Sequence, residues 1–105
     1  MEKELTFSEE NGTLTAHLTG EIDHHAAKRL RTETDAMLFH KKPKVLILDF
    51  ASVGFMDSSG IGFIIGRAEV ADEVGAKILV IGLDSTQKKL ARLSVIEKVK
   101  NVTVV

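Results

Sequence analysis

Hydrophobic and polar positions change rhythm several times along the chain, and each change marks an element. Leu5 and Phe7 alternate with polar neighbours, the period of a half-buried strand. Leu14, Ala16 and Leu18 alternate in the same way with Thr13, Thr15 and His17. Asn11-Gly12 separates the two runs and favours a tight turn, so they read as an antiparallel hairpin that Gly20 ends. The rhythm then turns helical. Asp23 can cap a helix reaching about His40, with Ala27, Leu30, Thr34 and Met37 as its inward stripe. Lys28, Arg29, Arg31, Glu33 and Asp35 form its solvated face. Pro43, in Lys41-Lys42-Pro43-Lys44, disfavours helix at Lys42 and makes this stretch a linker.

A continuous apolar run from Val45 to Leu48, reaching about Phe50, predicts a strand buried on both faces. A helical pattern begins near Ser59 and stops at Gly75. Met56-Asp57-Ser58-Ser59-Gly60 lies between them as a polar loop aimed at the helix N-terminus. Unpaired N–H groups and the helix dipole favour an anion at such a place. Ile78 to Ile81 is another apolar strand. Asp84 or Ser85 caps a third helix, with Leu90 and Leu93 inward and Lys88, Lys89 and Arg92 outward. A turn near Ile96 leads to an edge strand over Val102 to Val105. The order β-β-α-β-α-β-α-β predicts an α/β fold in a single domain spanning residues 1–105. Its centre is a mixed sheet of about four to five strands with helices packed against it, and an N-terminal hairpin.

Composition narrows the function classes. A chain of 105 residues supports one modest core. The formal net charge of −1 gives no bulk attraction to nucleic acid or to an anionic membrane. Aromatic content is 5%, all of it Phe, which argues against a base-stacking surface. The absence of cysteine excludes disulfides and thiolate metal sites. No apolar run approaches the roughly 20 residues that span a bilayer. The start, Met1-Glu2-Lys3-Glu4, is too charged for a secretory signal, so a cytoplasmic location is expected.

Ser58 and Ser59 have two readings, as a helix cap with a loop serine or as a site of chemistry. Asp57 is already a good cap, so two serines are redundant for capping. Gly60 and Gly62 leave the first turn without side chains, at about 1 kcal/mol each in helix propensity, and would let another backbone or a phosphoryl donor approach. Gly60-x-Gly62-x-x-x-Gly66 is a distant variant of the dinucleotide fingerprint, which makes a small nucleotide-binding domain the alternative. Ala51 through Ser59 separate its first glycine from the strand, which weakens that reading. Asp23-His24-His25 has the letters of a metal phosphoesterase motif without a matching ligand cluster. It reads as a cap followed by two exposed residues, or as a partner contact. A hydrolase centred on Ser58 lacks the G-x-S-x-G elbow, and no histidine follows it, so the chain is not expected to be an enzyme. Phe63, Gly66, Arg67 and Val70 share a helix face opposite Ile61, Ile64, Ala68 and Ala71. One face packs on the sheet, and Phe63 either touches a neighbouring helix or marks an interaction patch beginning at Ser58.

Phe55-Met56-Asp57-Ser58-Ser59-Gly60-Ile61-Gly62, after an apolar strand and before Gly66-Arg67, resembles the STAS-domain anti-sigma factor antagonists. Leu18-Thr19-Gly20-Glu21-Ile22-Asp23-His24-His25-Ala26 is similar to the upstream segment of the sporulation branch. The general stress-response branch shares the serine loop. The resemblance implies a phosphorylation switch. The unphosphorylated protein would bind an anti-sigma factor that is also an ATP-dependent serine kinase, and so free the sigma factor. Phosphorylation of Ser58 would weaken binding, and a serine phosphatase would restore it. Asp57, Ser59, Gly60, Ile61 and Gly62 would present the serine, with Asp23 and His24 extending the contact. ATP or ADP and Mg²⁺ would belong to the kinase, leaving this chain without a cofactor.

Overall fold

The computed structural model describes residues 4–105; the charged start at Met1 to Lys3 lies outside them. Strands β1 (Leu5–Glu10) and β2 (Thr13–Ile22) form the expected antiparallel hairpin. Asn11 and Gly12 both have positive φ, 50° and 82°, the backbone that a two-residue hairpin turn requires. Helix α1 (His24–Lys41), strand β3 (Val45–Met56), helix α2 (Ser58–Glu73) and strand β4 (Lys77–Ile81) follow. Helix α3 (Ser85–Leu93), a single 3₁₀ turn (Ile96–Lys98) and strand β5 (Val102–Val104) complete the described chain.

The five-stranded sheet has the order β1-β2-β3-β4-β5, with every pair after the hairpin parallel. Each parallel connection therefore steps to the next strand in the same direction. Such crossovers are right-handed almost without exception, so all of the helices belong on one face. Burial follows that rule. Leu14, Ala16, Leu18, Leu46, Leu48, Ile78 and Val80 are each at most 1% exposed. Their neighbours Thr15, His17, Ile47, Asp49, Leu79 and Ile81 are only partly covered. The run from Val45 to Leu48 is thus buried on one face, not on both: Leu46 and Leu48 face the helices, and Val45 and Ile47 face outward.

Several boundaries differ from the sequence reading. Strand β2 does not stop at Gly20 but runs to Ile22, and β3 runs to Met56 rather than Phe50. The register between them slips twice, between His17 and Thr19 and between Gly20 and Glu21, where β3 carries the extra residues. These bulges re-aim the end of β3 and put its buried residues, Phe50, Val53 and Met56, three apart. Helix α1 buries Ala26, Leu30, Thr34 and Leu38; Ala27 and Met37 are only partly covered. In α3 the buried residues are Gln87 and Ala91, while Leu93, expected inward, is 79% exposed. Asp84 caps this helix, its carboxylate accepting the Gln87 N–H while the Gln87 side chain accepts the Asp84 N–H. Gln87 also donates to the carbonyl of Val53, tying α3 to the far end of β3.

Candidate functional site

Strands β2 and β3 end side by side, and each passes to a helix through one aspartate. Asp23 and Asp57 have nearly the same extended backbone, φ −102° in both and ψ −172° and −165°. Asp23 accepts the Ala26 N–H at 2.9 Å, and Asp57 accepts the Ser59 N–H at 2.8 Å. The Asp57 N–H donates to the Ile22 carbonyl at 3.3 Å, which joins the two helix starts through one backbone bond. The Ala26 N–H holds the Asp23 carboxyl below its ordinary value, and His25 and Arg29 act in the same direction. Two helix N-termini and two carboxylates therefore share one rim at the ends of parallel strands.

The five residues Met56 to Gly60 are not a loop. Met56 ends β3, Asp57 is the cap, and α2 begins at Ser58 rather than Ser59. Because Asp57 makes the cap bond, Ser58 is free of that duty; it is exposed at the first helical position. Ser59 is partly covered, Gly62 is exposed, and His24 is exposed beyond Asp23. Gly60 and Ile61 are buried and do not lie on the rim surface. A Cβ on Gly60 would stand 2.7 Å from the Met56 sulfur, so this glycine makes room for the core and not for a visitor. The His24 and His25 rings meet edge to face at 5.8 Å between centroids. Phe63, expected either against a helix or in an open patch, is 3% exposed, with the Arg67 guanidinium carbon 5.2 Å from its ring centroid.

Helix α2 packs against both the sheet and α1: Ile61, Ile64, Ala68 and Ala71 are buried on one face, and Phe63 and Arg67 on the other, where Gly66 and Val70 are partly covered. Arg67 is 4% exposed, and its Nε lies 2.6 Å from Asp35 Oδ1 on α1. Burial pushes the Asp35 carboxyl up and the Arg67 guanidinium down from their ordinary values, and the opposing charge offsets part of each shift. Above this pair a groove of about 260 Å³ runs between the helices from Ser59 and His24, past Lys28 and Arg31. Gly62 and Gly66 form part of its lining and would meet nothing within 4 Å if given a Cβ. Phe55, 53% exposed, stands on β3 two residues before Asp57.

Residues 4–103 match the STAS domain. The chain belongs to the STAS family. This STAS domain is 30% identical over 82 residues to an anti-sigma F factor antagonist of Lysinibacillus sphaericus, which covers 78% of this chain and 70% of that protein. It resembles the solved anti-sigma factor antagonist SpoIIAA in its unphosphorylated form, with a TM-score of 0.69 and 26% identity over 86% of this chain and 83% of that one. The phosphorylated form of SpoIIAA, a Bacillus cell fate determinant, gives a TM-score of 0.71 over 96% and 90% of the two chains; at 24% identity it speaks for the fold alone. The relatives place this STAS domain among anti-sigma factor antagonists.

The nucleotide-binding alternative loses its structural basis in the glycines. Gly60, Gly62 and Gly66 all lie inside α2, with Gly60 buried, and no glycine loop opens between strand and helix to cradle a phosphate. Two features of the STAS rim are not legible in the sequence. Lys28 and Arg31 read as ordinary solvated charges because nothing in their spacing shows that they face Gly62 and Gly66. Phe55 stands between Gly54 and Met56, and the bulges erase the alternation that would mark it as the outward residue of a strand.

Proposed function

We propose that this STAS domain is a reversible phosphorylation switch. In its unphosphorylated form it binds an anti-sigma factor that is also a serine kinase, and so releases a sigma factor. The kinase transfers a phosphoryl group to Ser58 and binding ends; a serine phosphatase removes the group. ATP and Mg²⁺ enter with the kinase. The observation that carries this reading is the division of labour at the start of α2, where Asp57 caps the helix and leaves the Ser58 hydroxyl exposed. Asp23, His24, Asp57, Ser59 and Gly62 surround it on the rim, and Phe55 and the α1–α2 groove extend the contact surface. Similarity over 82 residues to an anti-sigma F factor antagonist, together with the resemblance of Leu18 to Ala26 to the sporulation branch, favours a role in sporulation over the general stress response.

Electrostatics gives the switch its direction. A phosphate on Ser58 brings about −1.5 to −2 charges at neutral pH. The α2 N-terminus offsets only about 0.3–1 kcal/mol of their cost, and Asp57 and Asp23 add like charge on the same rim. Enclosing that anion in an interface without a paired cation costs about 2–5 kcal/mol. That is roughly a 30-fold loss of affinity or more. The block is local, at the rim, and needs no change of fold. Similarity to both the unphosphorylated and the phosphorylated SpoIIAA structures supports this part of the reading.

The test is incubation with the cognate kinase and labelled ATP. Ser58→Ala is expected to abolish labelling while still binding the kinase, and Ser59→Ala to leave labelling in place. Label that persists on Ser58→Ala and disappears on Ser59→Ala would move the site by one residue. Absence of binding by the unmodified protein to any anti-sigma factor of its organism would overturn the reading.

A further inference from the structure

The sheet face that the helices leave bare carries a side-chain chain of its own. On β2, His17 lies opposite Thr6 of β1 and beside Asp49 of β3, while Ser8 lies opposite Thr15, two residues from His17. Ser8, His17 and Asp49 therefore project from the same face. Asp49 Oδ1 accepts the Ala51 N–H at 3.0 Å, which fixes the carboxylate. The other oxygen, Oδ2, lies 3.0 Å from His17 Nδ1. An ionised carboxylate only accepts, so Nδ1 must carry the proton. In the neutral ring Nε2 is then left with its lone pair, and it lies 3.1 Å from Ser8 Oγ. The hydroxyl proton of Ser8 is accordingly directed at an imidazole that a third group orients, the signature of an activated nucleophile. Stability does not account for the arrangement, because His17 and Asp49 are 44% and 21% exposed and such pairs contribute little.

We propose that Ser8, His17 and Asp49 form a nucleophilic relay that takes the acyl group of small activated carboxylic esters. The site is separate from the Ser58 rim and does not rest on the reading given for it. A depression of about 410 Å³ beside Ser8, lined by Glu9, Glu10, Asn11, Thr13, Thr15 and Ile47, offers the acyl group a mostly polar seat in which Ile47 is the apolar wall. Strand β1 is an edge of the sheet. The Thr19 N–H bonds to the Glu4 carbonyl, and the alternation of the ladder then turns the N–H groups of Phe7 and Glu9 to the free edge. The Glu9 N–H, next after Ser8, is the donor for the carbonyl oxygen as it gains charge.

In the first step Ser8 Oγ bonds to the ester carbon, its proton passes to His17 Nε2, and the ester C–O bond breaks. The leaving alkoxide or phenoxide takes that proton from His17. A water molecule then gives a proton to Nε2 and adds to the acyl carbon. The Ser8–acyl bond breaks, Oγ recovers the proton, and a carboxylic acid departs. Asp49 is a positioning residue throughout: it holds the ring and its tautomer and touches no substrate.

The probe is p-nitrophenyl acetate, with the acetyl adduct located by peptide mass mapping at short times. Ser8 of the whole chain is expected to acetylate at least about a hundred times faster than any other hydroxyl, the lower end of what a positioned general base supplies. Ser8→Ala removes the adduct. His17→Gln and Asp49→Asn each slow it by about ten-fold or more, the second because an amide N–H facing Nδ1 reverses the ring tautomer. His40→Ala leaves the adduct at Ser8 unchanged, which separates the relay from direct attack by an exposed imidazole. Circular dichroism checks that each variant is folded, and Asp49→Asn decides if His17→Gln is not. The proposal is overturned if Ser8 reacts no faster than other hydroxyls, or if its rate survives loss of the base or reversal of the tautomer. Either result leaves the Ser58 reading intact.

Discussion

Single atoms decide what the glycines of α2 do. A methyl group on Gly60 would meet the Met56 side chain at 2.7–3.2 Å, an overpacking that costs about 1–3 kcal/mol and outweighs the roughly 1 kcal/mol or less of helix propensity that alanine recovers. Gly62 and Gly66 meet nothing, so alanine there recovers helix propensity of up to about 1 kcal/mol. Urea denaturation should therefore show Gly60→Ala less stable than the parent and Gly66→Ala more stable. A midpoint for Gly60→Ala at or above the parent's would show that Met56 yields freely. Phe55 makes the complementary case on the outer surface. Its ring is half exposed beside Asp57, the position of an aromatic anchor at an interface. Phe55→Ala should weaken binding to the anti-sigma factor by about five-fold or more, equivalent to about 1 kcal/mol, while the denaturation midpoint stays put. Calorimetric titration of the two proteins reads this directly, and unchanged affinity would remove Phe55 from the surface.

At the scale of elements, the caps set the start of each helix. Asp57→Ala removes the bond to the Ser59 N–H and should cost about 1 kcal/mol in urea denaturation. Asp23 adds a pH dependence of known sign. Its folded carboxyl is held below the ordinary aspartate value by the Ala26 N–H, so its stabilising effect is present above that value and disappears as pH falls through the folded one. The gap in melting temperature between the parent and Asp23→Ala should thus be constant from neutral pH down to the ordinary aspartate range, then close in stronger acid. A gap that widened on acidification would contradict the cap. The two caps were legible in the sequence because an aspartate before a helical rhythm has a local cause. The end of β3 was not legible. Ala51 to Met56 lost its alternation to two slips of register against β2, and such slips depend on the partner strand. In α1 the inward stripe holds at Leu30 and Thr34 and shifts by one, to Ala26 and Leu38, at its ends, and in α3 Leu93 gives way to Gln87 and Ala91, for a related reason. A helix of mixed composition has several faces that could be buried, and the packing partner chooses among them. The family resemblance implies Gly60 and Ile61 in the segment that presents the serine, whereas α2 buries both.

Across the whole molecule, element order specified the α/β class, and Asn11-Gly12 between two alternating runs specified the N-terminal hairpin. The identity of the covered face came from the handedness of three successive crossovers, a property of topology that no local window contains. A long apolar run such as Val45 to Leu48 therefore suggested two covered faces where there is one. The phosphorylation switch has a global test as well. If the phosphate acts only at the rim, amide exchange in Leu46 to Phe50 and Ile78 to Val80 should be the same with and without it, and changes should be confined to residues near 22–26 and 55–62. Altered protection throughout β3 and β4 would mean that the sheet itself responds.

The uncovered side of the sheet also has a practical use. A dye or a surface linkage attached at Thr103, on the outward side, would sit behind a slab of backbone from the three helices. Immobilised that way, every copy would hold its serine toward the solution, and arrival and departure of the kinase could be timed without the tether standing in the way.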